Sequence, residues 1–231
     1  MPEAIPSSPG PRSVNVRFVS NSATYPSPIS GVTQVAARFG GVWEVEYSMP
    51  PLTRKQAGEW LGLLTKLNGG EDTVYIGPHC PRPVDYYDAG RPIGHPHATS
   101  LSLNFVTGEY ALRWVTTPTP LINGGSQTGT SLVTDGWSEG DGLNAGDYIC
   151  FENGTFRELH VVTAPCFADS NGDMTIPIAP RIRRSPTDNV AVTIVNATGE
   201  FLPADAAQAA EQFAGHQGTR SITAKFRERL L

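Results

Sequence analysis

No long helix can run through a chain interrupted by glycine and proline as often as this one. Its 24 Gly and 20 Pro recur along the whole length, and such punctuation favours many short strands joined by tight turns over a helical bundle. At 231 residues the chain has room for one large β domain or two small ones. A core of that size needs neither a metal nor disulfides to hold it.

Where the punctuation relents, the apolar residues recur with period two. Val14, Val16 and Phe18 share one side of a strand that starts at Ser13, as a half-buried strand requires. Residues 31–39 and 42–49 flank Gly40-Gly41, a dipeptide suited to a tight turn, and are predicted to form a hairpin. In the second arm Trp43, Val45, Tyr47 and Met49 alternate with Glu44, Glu46 and Ser48, so its apolar face must meet a core.

The one clear helix is predicted over 54–67. Thr53 is its N-cap, Gln56 completes a capping box and Gly69-Gly70 ends it. Ala57, Trp60, Leu61, Leu64 and Leu67 form one apolar stripe. Gly58 and Gly62 fall on one face of this helix, and each costs about 1 kcal/mol relative to Ala. Close approach of another backbone is the expected compensation.

Beyond the helix, 73–76 reads as a strand and 79–99 as an irregular Pro- and Gly-rich loop of the kind that often carries function. Alternation resumes over 100–105 and 109–115 and breaks at Thr116-Thr117-Pro118-Thr119-Pro120. A second unit then follows, with strands over 131–134, 173–178 and 190–195 and the run 148–162 folded at Glu152-Asn153-Gly154. After a short helical stretch over 204–213, the strand 221–226 is expected to return to the N-terminal sheet, because an inserted domain leaves the termini together. The predicted fold is mainly β: a sandwich or barrel with one packed α-helix, carrying an inserted small β-barrel-like domain. Residues 1–12 form an arm with four prolines, expected to pack on a neighbour. Residues 13–118 plus 200–231 form the first domain, and 119–199 the insert.

Charge narrows the function. With 22 acidic against 17 basic residues and a net charge of −5, the chain lacks the footprint of a nucleic-acid binder. Cys80, Cys150 and Cys166 are widely spaced and include no C-x-x-C pair, so they are expected to be reduced. No signal peptide and no membrane span are expected, since no apolar run of about 18 residues occurs.

His79, Cys80, His95 and His97 are residue types that bind zinc or iron, but their spacing fits no standard finger, and they are read as surface residues without a metal. Asp169 to Asp173 resembles half a calcium loop, yet Met174 stands where that loop needs Gly, and the segment reads as an Asn-Gly turn. Without a nucleophile elbow or a phosphate loop, neither catalysis nor a cofactor is expected. Arg181, Arg183 and Arg184 form one basic cluster and Arg220, Lys225 and Arg227 another, each a candidate contact surface beside Gly58 and Gly62.

The order of segments resembles that of the distal tail proteins of siphophages and prophages and their minor tail homologues. The similarity is carried by Trp43 to Pro51, by Glu59-Trp60 and Leu63-Leu64 in the helix, and by Val74-Tyr75-Ile76-Gly77-Pro78. In the insert it is carried by Leu121 to Gly124, Ser126 to Gly129, Asp135-Gly136-Trp137, Leu143 to Tyr148 and Ile178 to Arg183. The resemblance implies a structural virion protein at the tail tip, assembled in the host bacterial cytoplasm. It further implies a homo-oligomeric ring, a hexamer or in some relatives a trimer, that joins the tail tube to the tip hub or baseplate. A receptor- or carbohydrate-binding module, displaying Tyr86 and Tyr87 on the loop 79–99, is the competing expectation.

Overall fold

The structure is a computed structural model, and it describes residues 2–6, 10–26, 31–36, 40–67, 71–78, 86–88, 91–93, 100–103, 110–113, 118–154, 156–205 and 222–230. The protein is mainly β, with one helix among the described residues. The chain divides into two compact units, Met1–His79 with Gly199–Leu231, and Cys80–Thr198. An insert interrupting a first domain is therefore present, but the break expected at 118/119 falls at 79/80, so the segment read as a functional loop of the first domain belongs to the insert.

The first unit holds β1 (Glu3–Ala4), β2 (Ser13–Val19), β3 (Ala23–Pro26), β4 (Thr33–Ala36), β5 (Val42–Ser48), helix α1 (Arg54–Lys66) and β6 (Val74–Ile76). After the insert the chain returns to this unit as β19 (Gly199–Pro203) and β20 (Thr223–Glu228). Its main sheet runs β1-β6-β19-β20-β5-β2. The C-terminal strand thus shares a sheet with β2, through β5 between them.

Alternation decides which face is buried. Trp43, Val45, Tyr47 and Met49 are at most 5% exposed, as are Ala224 and Phe226 on β20, and the Tyr47 and Phe226 rings meet edge-on at 6.2 Å. Tyr47 also donates its hydroxyl to Gly77 O at 2.5 Å, and burial, only partly offset by that bond, pushes its phenol above the ordinary range. Helix α1 adds Trp60, Leu63, Leu64 and the capping Leu67 to the buried set. Its capping box forms as the sequence predicts, with Gln56 N donating to Thr53 Oγ1 and Thr53 N donating to Gln56 Oε1.

Two local expectations give way. The predicted Gly40-Gly41 hairpin does not form: β5 pairs with β2 along its whole length, and β4 pairs instead with β3 in a separate two-stranded ribbon. The core-facing side of β5 is better covered by the long β2 and β20 than a local turn partner would allow. The N-terminal arm, expected on a neighbour, places Glu3 and Ala4 parallel to β6 in its own sheet, fastened by the 2.7 Å ion pair of Glu3 with Lys66.

The second unit contains β7 (Tyr86–Asp88), β8 (Arg91–Ile93), β9 (Ser100–Leu103), β10 (Tyr110–Arg113), β11 (Leu121–Ile122), β12 (Gly129–Asp135), β13 (Gly142–Leu143), β14 (Tyr148–Asn153), β15 (Phe156–Val162), β16 (Cys166–Phe167), β17 (Met174–Ile182) and β18 (Val192–Thr193). Six of them lie in the order β11-β12-β17-β15-β14-β18. A bridge from Leu121 to Ala191, flanked by Ile122 N to Val190 O at 2.9 Å and Val192 N to Pro120 O at 2.8 Å, brings β18 round to β11. The sheet thereby closes into a small barrel. Ile122, Leu132, Ile149, Phe151, Ile176, Ile178 and Ile194 fill it. The unit also holds a sheet β16-β13-β7-β8 and the pair β9-β10, so the stretch read as irregular contains the short antiparallel hairpin β7-β8.

The Asn-Gly turn before β17 forms as expected. Asp169 accepts the N–H groups of Asn171 and Asp173, which hold its carboxyl below the usual range. Gly172 sits at φ +81°, where an added Cβ would lie 2.6 Å from Trp137 O. Only glycine satisfies both constraints.

Candidate assembly surface

Edges decide where a β protein can associate, because an edge strand presents unpaired N–H and C=O groups to any extended chain nearby. In the first unit the sheet ends on one side at the two-residue β1 and on the other at the seven-residue β2. Natural edges are blunted by shortness or by charge. The β1 edge is short and carries Glu3, whereas β2 is long.

Strand β2 is also half covered. Val14, Val16 and Phe18 pair across to Tyr47, Val45 and Trp43, on the core side, yet Phe18 remains 43% exposed. Its ring stands edge-on to Trp43 with centroids 5.2 Å apart. Gly41 makes that position possible, since a Cβ there would lie 2.2 Å from the Phe18 ring.

The ribbon β3-β4 emerges directly from this edge. Every residue of β4 is exposed, as are the large side chains Tyr25, Val32 and Val35. A lone two-stranded ribbon is marginal in water without something to pack on. Between Arg17 and Arg38 the sequence has no charged residue, so neither the end of the edge strand nor the ribbon carries a charged side chain. Sequence reasoning pointed to Phe18 but missed the ribbon, because it paired 31–39 with the wrong strand. The charge-free run was the available signal.

The opposite face of the same sheet is ionic. Arg17 donates to Glu44 at 2.8 Å, Arg227 reaches Glu44 at 4.0 Å and Lys225 reaches Glu46 at 3.9 Å. Strand register lines these residues up, Arg17 with Glu44 and Arg227 on one rung and Lys225 with Glu46 on the next. The basic candidates Lys225 and Arg227 therefore face acidic partners within their own chain, in exposed pairs worth roughly 0–1 kcal/mol each. Arg220 lies outside the described residues.

The other candidates are scattered. Gly58 and Gly62 are exposed, and beyond the helix's own backbone and their chain neighbours no atom lies within 4 Å of a Cβ placed on either, so the predicted close approach of another backbone does not occur among the described residues. Arg181 lies on β17, which runs to Ile182 and past the end the sequence suggested, while Arg183 and Arg184 donate their backbone N–H groups to Glu158 at 3.1 and 3.2 Å. His79, Cys80, His95 and His97 fall outside the described residues, and among those described no cluster of His, Cys, Asp and Glu could hold a metal. Tyr86 and Tyr87 belong to β7. No described helix is long and apolar enough to cross a membrane.

Comparison with protein-family models and with curated proteins gives no match for this chain.

Proposed function

We propose that this protein is a structural subunit of a phage tail tip, a distal tail protein that assembles into a homo-oligomeric ring, most naturally a hexamer, joining the tail tube to the tip hub or baseplate. The observation that supports this best is the pairing of an open, half-covered edge strand with an uncharged, exposed ribbon on the same subunit. Two such different surfaces on one chain suit a heterologous, head-to-tail contact, and such contacts generate rings when the rotation closes. Neutral surfaces of this kind associate by burying apolar area, the term that dominates obligate interfaces. The segment order described above supplies the tail-tip context, and the role is one of assembly, without catalysis or cofactor.

The test is the native mass of the purified chain by light scattering, together with ring symmetry in electron micrographs. A closed ring of six or three copies is the expected result. A chain that stays monomeric at tens of micromolar, or that binds an oligosaccharide array as a monomer, would replace this reading with that of a binding module.

A further inference from the structure

Four Asn-Gly pairs occur in the sequence, at 68–69, 123–124, 153–154 and 171–172. Each brings together the two groups of a self-reaction: a side-chain amide and, one residue on, a backbone nitrogen that no Cβ screens. Once that nitrogen gives up its proton it can attack Cγ of the asparagine. The five-membered imide that forms then opens with water to aspartate or to its β-linked isomer. The first pair lies outside the described residues. The other three differ in whether the attacking nitrogen is occupied.

At Asn123 it is occupied. Gly124 N donates to Asp188 Oδ1 at 2.7 Å, and the asparagine's own Nδ2 donates to Asp173 Oδ1 at 2.9 Å. At Asn171 the position is similar, with Gly172 N donating to Asp169 O at 3.1 Å and the asparagine side chain bonded to the Asp169 carboxylate. In both pairs the nitrogen must leave its acceptor before it can react, and at Gly124 the anionic acceptor also opposes loss of the proton.

Asn153 is built differently. It closes the β14-β15 hairpin opposite Phe156, and Gly154 follows at φ +69°. Gly154 is exposed, a Cβ placed on it would meet nothing within 4 Å beyond its chain neighbours, and among the described residues its N–H has no acceptor. The asparagine side chain itself is tethered, as at the other two sites. Its Nδ2 donates to Arg184 O at 2.8 Å and to Ser185 O at 3.1 Å, which fastens the bend after β17 to the hairpin tip. That bend is tied a second time, because Arg183 N and Arg184 N donate to Glu158 at 3.1 and 3.2 Å.

We propose that Asn153 is a self-modification site, attacked at Cγ by Gly154 N, and that conversion of its amide to an acid unfastens the Arg183–Ser185 bend from the hairpin tip. In the first step the Gly154 proton passes to hydroxide, the N–Cγ bond forms and the Cγ–Nδ2 bond breaks, the leaving nitrogen taking a proton from water to depart as ammonia. In the second step water adds to one imide carbonyl. Cleavage of the new N–Cγ bond gives aspartate, and cleavage of the original peptide bond gives the β-linked isomer. One water is consumed, one ammonia is released and nothing is oxidised.

Either product puts a carboxylate where two N–H donors stood. Carboxylate oxygens only accept, as do the carbonyls of Arg184 and Ser185, so acceptors face acceptors and the tether is lost. The β-linked product also adds a methylene to the main chain of the tight turn between Asn153 and Phe156.

The test holds the folded full chain in mildly alkaline buffer and follows each Asn-Gly pair by peptide mapping with mass spectrometry, while brief trypsin digestion reads cleavage after Arg184. Asn153 should convert at least about tenfold faster than Asn123 or Asn171, the factor that one hydrogen bond on the attacking nitrogen is worth. In denaturant the three should react alike. Aged wild type and fresh Asn153→Asp should both be cut after Arg184 about tenfold faster than fresh wild type. Asn153→Gln cannot form the five-membered imide, so its cleavage should not change on ageing. Equal rates at the three pairs in the folded chain, or a slower one at Asn153, would overturn the site, and unchanged cleavage in the aged chain would overturn the unfastening. Should Asn153→Asp not fold, the aged wild type decides alone. None of these readings depends on ring assembly.

Discussion

The two units deal with the same difficulty, unpaired strand edges, in opposite ways. The insert wraps six strands until β18 meets β11, which spends its backbone donors and acceptors internally and leaves the barrel itself no edge to offer. The first unit leaves its sheet open and guards only one end, where the two-residue β1 carries the Glu3–Lys66 pair. At the other end β2 and the β3-β4 ribbon stay neutral and largely uncovered. Both units bury ionisable side chains, Glu158 and His160 in the barrel and Glu200 and Glu228 in the open sheet, and the open sheet also sets Arg17, Glu44, Glu46, Lys225 and Arg227 in a ladder on its outer face. The lesson is that the first unit's main sheet keeps an open, uncharged edge, whereas the barrel of the second unit closes on itself.

The largest expected effect separates the cores. Trp60 is 1% exposed and its indole N–H has no hydrogen-bond partner, so it serves the open unit as volume. Trp60→Ala should cost that unit about 3–5 kcal/mol, measured by denaturant unfolding, with Trp60→Phe much milder. Near-UV signals from Trp137 in the barrel should keep their wild-type midpoint. Equal losses at both sites would mean that the two units unfold as one, and the comparison would fail.

A second prediction removes the insert altogether. Ile76 and Gly199 are direct register partners on β6 and β19, so deleting residues 80–198 leaves two adjacent strand ends that a short Gly-Ser linker can join as a hairpin. The remainder should keep a cooperative thermal transition, lowered by a few degrees. A remainder with no transition would show that the open sheet depends on the barrel for its fold.

Much of this was legible in the sequence, and the misses share a cause. Strands with one apolar face, β5 and β20, announced themselves by alternation, and Thr53 with Gln56 announced the helix start. Pairing was harder, because Gly40-Gly41 is a local turn signal while the partner that wins, β2, is reached across the β3-β4 excursion. The far end of β17, beyond the 173–178 the sequence suggested, was hidden by Pro180, since a proline argues against a central strand. Glu158 and His160 were missed because Phe156, Glu158, His160 and Val162 form one face and Arg157, Leu159 and Val161 the other, so neither face reads as the core from hydropathy alone. The uncharged run from Phe18 to Ala37 was visible as composition, but its meaning needed the edge.

The smallest effect bears on the helix of the open unit. Gly58 and Gly62 have open space where a Cβ would go, so within the subunit nothing opposes alanine, and each substitution should stabilise α1 by roughly 0.5–1 kcal/mol through its helix propensity alone. A glycine pair kept at that cost on an exposed face would be explained if a neighbouring copy's backbone packs there. Gly58→Ala with Gly62→Ala should therefore raise the midpoint of the isolated subunit and, if that packing exists, lower the native mass, because two new methyl groups would hold the neighbour off. A stabilised variant that still gives the wild-type mass would confine the contact to β2 and its ribbon. A destabilised one would mean that the helix face is already covered within the subunit, contrary to the geometry around both glycines.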